Sequence, residues 1–365
     1  MKIVYLLRDH TNPGGIERVV AQKSNYLVNK GYEVFIVTLH MKEEPPFFHF
    51  NREVKFHNLD IGITPGKKKF IDALTRYFSE LKPDIVISTG VLITNYLYQV
   101  QDTSKKILEC HFAKYKKKYK LANLDKYLAG RVFNYIYSYK RTRLAKKYDR
   151  FVVLTDEDRR DWGNLKNICT IPNPIPFIPE SYSDLTEKRV IAVGRLTGQK
   201  GFDLLVQAWA KVTGRFPDWK LSIIGSGGKE IRLRELIEKL GVEKSVDILP
   251  PSRDIESEYK KSSIYAFSSR YEGFGLVLAE AMACGLPAVS FACKSGPADI
   301  ISDGEDGFLI KMHDTNDFAE KLALLMKDKE LRQKMGKAAR NNILRYTQDK
   351  VLPHWEQLFH EIMNK

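Results

Sequence analysis

The protein is a chain of 365 residues, long enough for two domains, with 43% hydrophobic and 28% charged residues and a formal net charge of +14. This composition excludes a largely disordered chain, and no apolar run approaches the roughly 20 residues of a membrane-spanning helix. An early charge argues against a signal peptide, and four widely spaced cysteines argue against a disulfide scaffold or zinc ribbon, so we expect a cytosolic protein with reduced thiols.

In the first half of the chain, short apolar runs rich in β-branched residues alternate with amphipathic helical segments. Strands are predicted at residues 3–7, 34–39, 84–89, 107–110 and 151–155. A helix is predicted at residues 16–30, because its apolar residues share one helical face and Gly31 is a good stop signal. The alternation is typical of a doubly wound parallel sheet.

A proline cluster separates the two halves. Prolines at 172, 174, 176 and 179 cannot continue a helix or a central strand, so they predict a linker. The pattern then restarts, with predicted strands at residues 190–193, 220–224, 246–249, 264–268 and 288–291 and helices at residues 203–215 and 230–240. Two α/β halves predict a cleft between the carboxyl ends of two sheets. A last amphipathic helix, at residues 348–364, needs a surface to cover.

The positive charge is concentrated in the first half. Residues 1–170 contain 31 Lys and Arg against 18 Asp and Glu, a net charge of +13, whereas the remaining residues contain 28 against 27. Two patches dominate: Lys67, Lys68 and Lys69, and residues 105–150, where the run from Lys114 to Lys120 is interleaved with aromatic residues. Such a surface suits an anionic membrane or a nucleic acid, although a solubilising face would look the same.

The most specific motif is EGFGLVLAEAMACGLP, which runs from Glu272 to Pro287. A predicted strand leads into its glycine loop, and a helix starts near Leu276, where unpaired N–H groups and the positive end of the dipole would hold a phosphate. The glycines let a ligand approach the backbone. Glu280 lies one turn into the helix, where a carboxylate suits a ribose diol. Taken alone, two glutamates eight residues apart could equally be ordinary surface residues exposed to solvent.

Two further turns contain residues suited to a phosphate ligand. The stretch VGRLTGQKG at residues 193–201 places Arg195 and Lys200 on a glycine-rich turn, where both cations could neutralise a diphosphate leaving group. It lacks the P-loop pattern. The stretch SGPADI at residues 295–300 turns from a strand into a helix, and a proline-started helix explains it equally well.

Together these motifs resemble the retaining nucleotide-sugar glycosyltransferases of family four, of the bacterial surface-polysaccharide type. The resemblance rests on YEGFGLVLAEAMACGLPAV, VGRLTGQKGFD, GPADII and the PGGIER loop at residues 13–18, which together span residues 1–310. It implies the α/β GT-B fold, with two doubly wound Rossmann-like domains facing a central cleft. The expected acceptor-binding domain is residues 1–170, the linker 171–185 and the nucleotide-sugar-binding domain 186–345. Residues 346–365 are expected to pack back on the first domain.

The resemblance also implies roles for individual residues. The implied catalytic residues are His111 beside the sugar, Arg195 and Lys200 at the donor diphosphate, and Glu272 at the donor sugar and phosphate. The implied ligand-binding residues are Gly14, Gly15, Gly194, Phe274, Gly275, Leu276 and the ribose-binding Glu280. One departure is Asp299, because the family often has Glu at this position of its GPxE motif, so we rank Asp299 below the others.

The implied reaction is transfer of a hexose or N-acetylhexosamine from a nucleoside diphosphate sugar with retention at the anomeric carbon. In the family's favoured front-face mechanism, the leaving phosphate takes the acceptor proton while Arg195 and Lys200 stabilise its charge. UDP is the commonest donor nucleotide among proteins of this type, and GDP remains open. We expect no cofactor and no metal requirement.

The basic first half suggests a lipid-linked or polysaccharide acceptor. We therefore expect a cytoplasmic protein, peripheral on the inner face of the cell membrane, that contacts anionic lipid through Lys67 to Lys69 and Lys114 to Lys120 and binds no nucleic acid. Two alternatives stay open. One is a GT-B sugar-nucleotide epimerase or hydrolase, and the other is a basic nucleic-acid-binding protein, for which no RRM-like motif is evident.

Overall fold

The structure is a computed structural model that describes residues 1–12, 14–40, 44–62, 64–89, 95–114 and 128–364. The chain divides into two compact units, the first formed by Met1–Pro176 with Gln348–Lys365 and the second by Phe177–Thr347. No helix within the described ranges has the length and apolar character needed to cross a membrane.

The first unit is built on a parallel sheet. Its described strands are β1 (Lys2–Leu7), β2 (Glu33–Thr38), β3 (Lys55–Asn58), β4 (Ile85–Ser88), β5 (Lys105–Cys110), β6 (Arg150–Val153) and β7 (Ile168–Thr170), in the order β3-β2-β1-β4-β5-β6-β7. Every pairing is parallel. The central strands are apolar runs because helices cover both faces of such a sheet. These helices include α1 (Gly15–Asn29), α2 (Lys67–Leu81), α3 (Leu128–Ala145) and α4 (Asp156–Trp162).

The second unit repeats this architecture. Its described strands are β8 (Arg189–Val193), β9 (Lys220–Ile224), β10 (Val246–Leu249), β11 (Ile264–Phe267), β12 (Ala288–Phe291) and β13 (Gly307–Ile310), all parallel, in the order β10-β9-β8-β11-β12-β13. Its helices include α5 (Phe202–Val212), α6 (Glu230–Lys239), α7 (Ile255–Lys260), α8 (Leu276–Ala283), α9 (Pro297–Ile300), α10 (Thr315–Lys327) and α11 (Lys329–Ile343). The order reverses between β8 and β11, as in doubly wound folds.

The last helix, α12 (Gln348–Met363), belongs to the first unit although it follows the second in sequence. Its apolar face is buried, with Trp355 and Phe359 among the most enclosed side chains. The Oη of Tyr26 on α1 donates a hydrogen bond of 2.5 Å to Glu356. The Lys23 ammonium of α1 also lies 3.9 Å from the ring centre of Trp355, so both contacts join this helix to α1.

Each predicted strand corresponds to a strand of the structure, but β3, β7 and β13 were not predicted. All three lie at sheet edges. The residues of β3 and β7 are exposed or half-buried, and only the two ends of β13 are buried. The sequences of β3 and β7 lack the apolar run that identifies a central strand, whereas β13 is apolar but only four residues long and begins with a glycine.

Helix α11 packs closely against the end of α8, and a substitution at this contact provides a test of the fold. A Cβ added at Gly336 of α11 would overlap the carbonyl oxygen of Gly285. Replacing a helical glycine by alanine normally stabilises a helix by up to about 1 kcal/mol. At this site we expect Gly336→Ala to lower the free energy of unfolding by about 1–3 kcal/mol, because the methyl group must displace backbone.

The measurement is chemical denaturation, with Gly214→Ala as the matched control. A Cβ at Gly214 meets no heavy atom within 4 Å. We expect the control to change the unfolding free energy by no more than about 0.5 kcal/mol. A Gly336→Ala protein as stable as the control would contradict the close packing of α11 on α8.

Candidate active site

The first part of the site is the loop between β8 and α5. Gly194 follows β8 with φ at +155°, and a Cβ there would lie 2.8 Å from Cε of Lys200. Gly201 caps α5 with φ at +63°, and a Cβ there would overlap the carbonyl oxygen of Ser268. Glycine at these two positions therefore lets the loop fold tightly, with the Lys200 side chain lying over Gly194.

The second part is the loop that follows β11, and hydrogen bonds join it to the first. The hydroxyl of Ser268 donates to the carbonyl of Lys200 (2.8 Å), and the backbone N–H of Arg270 donates to the carbonyl of Gln199 (2.7 Å). The Arg270 guanidinium also binds both carboxylate oxygens of Asp203, at 2.8 and 2.6 Å. Burial alone would raise the pKa of Asp203, but Arg270 lowers it, so this clamp stays charged.

Lys200 and Glu272 meet where these two loops touch. Nζ of Lys200 lies 2.8 Å from Oε1 of Glu272, and the hydroxyl of Ser269 donates to the same oxygen at 2.6 Å. The two charged side chains are only 13% and 10% exposed. Because solvent screens such a pair little, the lysine is held in one place with its charge next to the loop.

Helix α8 begins beside this pair. Gly275 caps it with φ at +105°, and its carbonyl accepts the N–H groups of Leu278 and Ala279. The N–H groups of the residues before these, starting at Leu276, have no acceptor within a helix and point out of its N-terminus. Gly296 lets the loop before α9 come close, since a Cβ there would overlap the carbonyl oxygen of Phe274.

The remaining predicted residues of this unit differ in exposure. Glu280 is 3% exposed, and its Oε2 accepts a hydrogen bond of 3.2 Å from Tyr259. Arg195 is exposed, and no carboxylate of the described residues lies within ion-pair distance of it. Burial and Glu272 raise the pKa of Tyr271, and Arg195 opposes them, which places the Arg195 charge near this phenol. The backbone carbonyl of Asp299 accepts hydrogen bonds from Arg345 and Tyr346.

The other predicted residues lie in the first unit. Gly14 caps α1 and Gly15 is the first residue of that helix, directly after the β1 loop. His111 follows β5, is 8% exposed and has its Nε2 3.2 Å from Oε1 of Glu109, without the alignment of a hydrogen bond. Pro13 and residues 115–120 of the predicted basic run lie outside the described residues. Lys114, the first residue of that run, is 8% exposed, and its Nζ donates to the carbonyl of Asp161 at 2.8 Å, so the prediction that Lys114 contacts lipid is wrong.

Sequence reasoning missed Glu109, the charged neighbour of His111, and Lys23, which pairs with Glu109. Glu109 lies within the buried part of β5, and Lys23 lies on the buried face of α1 between Val20 and Leu27. The signal available was a lysine among the apolar positions of a predicted helix and a glutamate within a predicted strand, because charges at core positions are normally paired. Across the described ranges, no three His, Cys, Asp or Glu side chains group as a metal site.

Family profiles match both halves of the chain: "Glycosyltransferase Family 4" matches residues 13–177 and "Glycosyl transferases group 1" matches residues 176–342. The amylovoran biosynthesis glycosyltransferase AmsD of Erwinia amylovora is 30% identical over 378 residues, covering 98% of this chain and 99% of its own length. The chain belongs to the family 4 glycosyltransferases. It is therefore a glycosyltransferase, and the expected GT-B fold is confirmed.

Two other similar proteins are informative. The poly(ribitol-phosphate) alpha-N-acetylglucosaminyltransferase of Staphylococcus aureus is 32% identical over 219 residues, covering 59% of this chain and 44% of its own. The pneumococcal O-GlcNAc transferase GtfA, solved with UDP and GlcNAc, has the same fold, with a TM-score of 0.77 and 16% identity over 100% of this chain and 99% of its own.

The tight turn at Gly201 gives a prediction for this glycosyltransferase. Gly201→Ala places a side chain at a positive φ and against the carbonyl of Ser268, so it must move the adjacent Lys200. We expect a loss of stability of about 1–3 kcal/mol and weaker binding of a nucleoside diphosphate. Thermal unfolding and calorimetric titration with UDP measure the two effects.

The matched control is Gly198→Ala in the same loop. A Cβ at Gly198 meets nothing within 4 Å, and the residue has no positive φ. We expect this protein to be as stable as the wild type and to bind UDP equally well. Equal behaviour of the two variants would show that the geometry of this turn does not determine binding.

Proposed function

We propose that this enzyme transfers a hexose or N-acetylhexosamine from a nucleoside diphosphate sugar, with UDP as the nucleotide, and retains the anomeric configuration. The acceptor is a lipid-linked or polysaccharide glycan at the cytoplasmic face of the membrane, within cell-surface glycan synthesis. The observation that carries the proposal is the Lys200–Glu272 pair beside the N-terminus of α8.

These groups suit a diphosphate leaving group. The α8 N-terminus supplies N–H donors and partial positive charge, and Lys200 and the exposed Arg195 supply full positive charges. Cations fixed before the reaction stabilise the charge that develops on the departing phosphate without reorganising. Glu272 and Ser269 position Lys200 for this role.

The state of Glu272 argues against a double displacement as the route to retention. A double displacement needs a carboxylate that attacks the anomeric carbon. Oε1 of Glu272 already accepts from both Lys200 and Ser269, and these bonds reduce its strength as a nucleophile. We therefore favour a front-face step in which the leaving phosphate oxygen accepts the proton of the acceptor hydroxyl, with no divalent metal. His111 would lie beside the transferred sugar.

The relatives support the donor and the pathway. GtfA was solved with UDP and GlcNAc, the Staphylococcus aureus relative is named an alpha-N-acetylglucosaminyltransferase acting on poly(ribitol-phosphate), and AmsD is named for amylovoran biosynthesis. We extend from these proteins to a UDP-linked donor and a surface-glycan acceptor for this chain.

The membrane proposal rests on two surfaces of the first unit. Lys67, Lys68 and Lys69 are exposed in the first turn of α2, where lysines oppose the positive end of the helix dipole. Lysines at this end of a helix do not stabilise it, so we attribute the three lysines to an anionic binding partner. On α3, an apolar stripe at helical spacing is exposed, formed by Val132 (49%), Tyr135 (73%), Ile136 (45%) and Tyr139 (54%).

Basic residues continue this stripe. Lys140, Arg143, Lys146 and Lys147 are exposed at the end of α3 and just beyond it. Apolar and aromatic side chains followed by basic ones match the boundary between acyl chains and anionic headgroups. We therefore propose that α3 and the first turn of α2 bind the inner face of the membrane, where a lipid-linked acceptor is presented.

Donor binding is the first test of the proposal. A panel of UDP- and GDP-sugars is screened by thermal shift, since a ligand at 100 times its Kd stabilises the folded state by about 2.7 kcal/mol. We expect one UDP-sugar to raise the melting temperature of the wild type. Glu280→Gln and Lys200→Met should lose the shift, whereas Lys188→Met, which removes an exposed ion pair with Asp218, should keep it.

Transfer is then measured with that donor in the presence of EDTA. We expect α-linked product from an α-linked donor by NMR, and a kcat about 100- to 1,000-fold lower for Lys200→Met. Release of free sugar or an epimer from donor alone would instead identify a hydrolase or epimerase. No shift with any nucleotide sugar would contradict the proposed donor site.

Vesicle binding tests the membrane proposal. Each lysine near an anionic surface contributes about 1 kcal/mol, so replacing Lys67, Lys68 and Lys69 with Gln should weaken binding to phosphatidylglycerol vesicles by up to roughly 100-fold. The control replaces Lys327, Lys334 and Lys337, which are also exposed, with Gln and makes the same charge change in the second unit. Absence of wild-type binding at physiological salt, or equal loss in both triple variants, would overturn the proposed surface.

A further inference from the structure

A buried chain of charged groups leads to His111. Residues two apart on a strand point to the same face, so Glu109 of β5 and His111 just after it are neighbours. Oε1 of Glu109 lies 3.2 Å from Nε2 of His111, and Oε2 lies 2.5 Å from Nζ of Lys23 on α1. Each carboxylate oxygen thus has its own cationic or protonatable neighbour.

The Lys23 ammonium is enclosed on its other sides by aromatic rings. Its Nζ lies 3.9 Å from the ring centre of Trp355 on α12 and 5.2 Å from that of Tyr5 on β1. The side chains of Lys23 and Glu109 are both 1% exposed. A cation over an indole face is stabilised by the ring, which offsets part of the loss of water.

Fold stability does not explain this pair. Taking two charges out of water costs several kcal/mol per ion, and apolar residues of similar volume commonly stabilise a core as well or better. Burial would raise the pKa of Glu109, but Lys23 and His111 lower it to about 2, so the carboxylate stays charged at neutral pH. The chain therefore maintains a negative charge beside the imidazole.

We propose that Glu109, held by Lys23, is a positioning residue that orients His111 and directs a ring N–H toward itself. The inference rests on the proposed function, in which His111 lies beside the transferred sugar. The two atoms are close but not yet aligned, and hydrogen bonds of this kind often tighten only when substrate is bound. With Nε2–H directed to Glu109, Nδ1 is the ring nitrogen left for the ligand.

A double variant separates positioning from stability. Glu109→Gln alone leaves Lys23 buried without its partner, so its effects mix both roles. Combining Lys23→Met with Glu109→Gln makes the pair neutral at similar volume, and we expect the melting temperature to return toward that of the wild type. We expect kcat to stay at least tenfold lower with the donor KM unchanged, whereas recovery of kcat together with stability would overturn the proposal.

A second buried pair on the same strand is the matched control. Lys106 of β5 pairs with Asp102 at the opposite end of the strand, with side chains 9% and 7% exposed. Lys106→Met with Asp102→Asn makes the same chemical change away from His111, and we expect kcat to be unchanged. A tenfold loss in this control as well would show that any neutralised pair in β5 lowers activity, and would overturn the specific role of Glu109.

Two measurements keep the inference testable if the double variant does not fold or His111 has no catalytic role. Glu109→Asp keeps the negative charge in the core but withdraws the carboxylate by one methylene from both His111 and Lys23. We expect a lower kcat and a smaller loss of stability than in Glu109→Gln, because Lys23 keeps a charged neighbour; an unchanged kcat counts against positioning. If His111→Ala retains full activity, the catalytic role proposed for His111 fails. The ¹⁵N NMR signals of His111 still report on its placement without donor, and signals that do not change in Glu109→Asp would overturn the inference.

Discussion

The parallel arrangement of both sheets determines where function can lie. Because every described pairing is parallel, all strands of a unit end at one edge, and the chain must cross a face of the sheet before each return. The central strands are then buried on both faces and cannot carry solvent-facing chemistry along their length. Site residues are found where strands end: Gly14 follows β1, His111 follows β5, Lys200 follows β8 and Glu272 follows β11.

At this edge of the second sheet, the backbones of neighbouring loops must also approach each other closely. The loops after β8 and β11 are joined by hydrogen bonds between Gln199, Lys200, Ser268 and Arg270. They can meet because Gly201 has no side chain to collide with Ser268. A sequence shows such glycines as a motif, but only the contact explains why alanine would not serve at Gly201 and would serve at Gly198.

The sequence predicted the architecture well because central strands have a strong physical signal. Runs such as residues 3–7 and 264–267 are apolar and buried throughout, as burial on both faces requires. The edge strands β3 and β7 lack that signal, and β13 is a short run that begins with a glycine, so only the structure reveals them. For the site, residue spacing and family resemblance identified Lys200 and Glu272 but could not show that they touch. The partnership of Lys23 with Glu109 depends on which face of α1 meets β5, which periodicity alone does not give.

The two lysine–glutamate pairs differ in burial, and this difference determines whether each pair can contact a ligand directly. Lys200–Glu272 is partly exposed, so a ligand phosphate can approach the ammonium and compete for its charge. Lys23–Glu109 is enclosed by Trp355 and Tyr5, and no ligand can reach Lys23 without displacing α12 or β1. The first pair therefore suits direct contact with a substrate that carries negative charge. The second can act only through a neighbour, and the neighbour that its carboxylate reaches is His111.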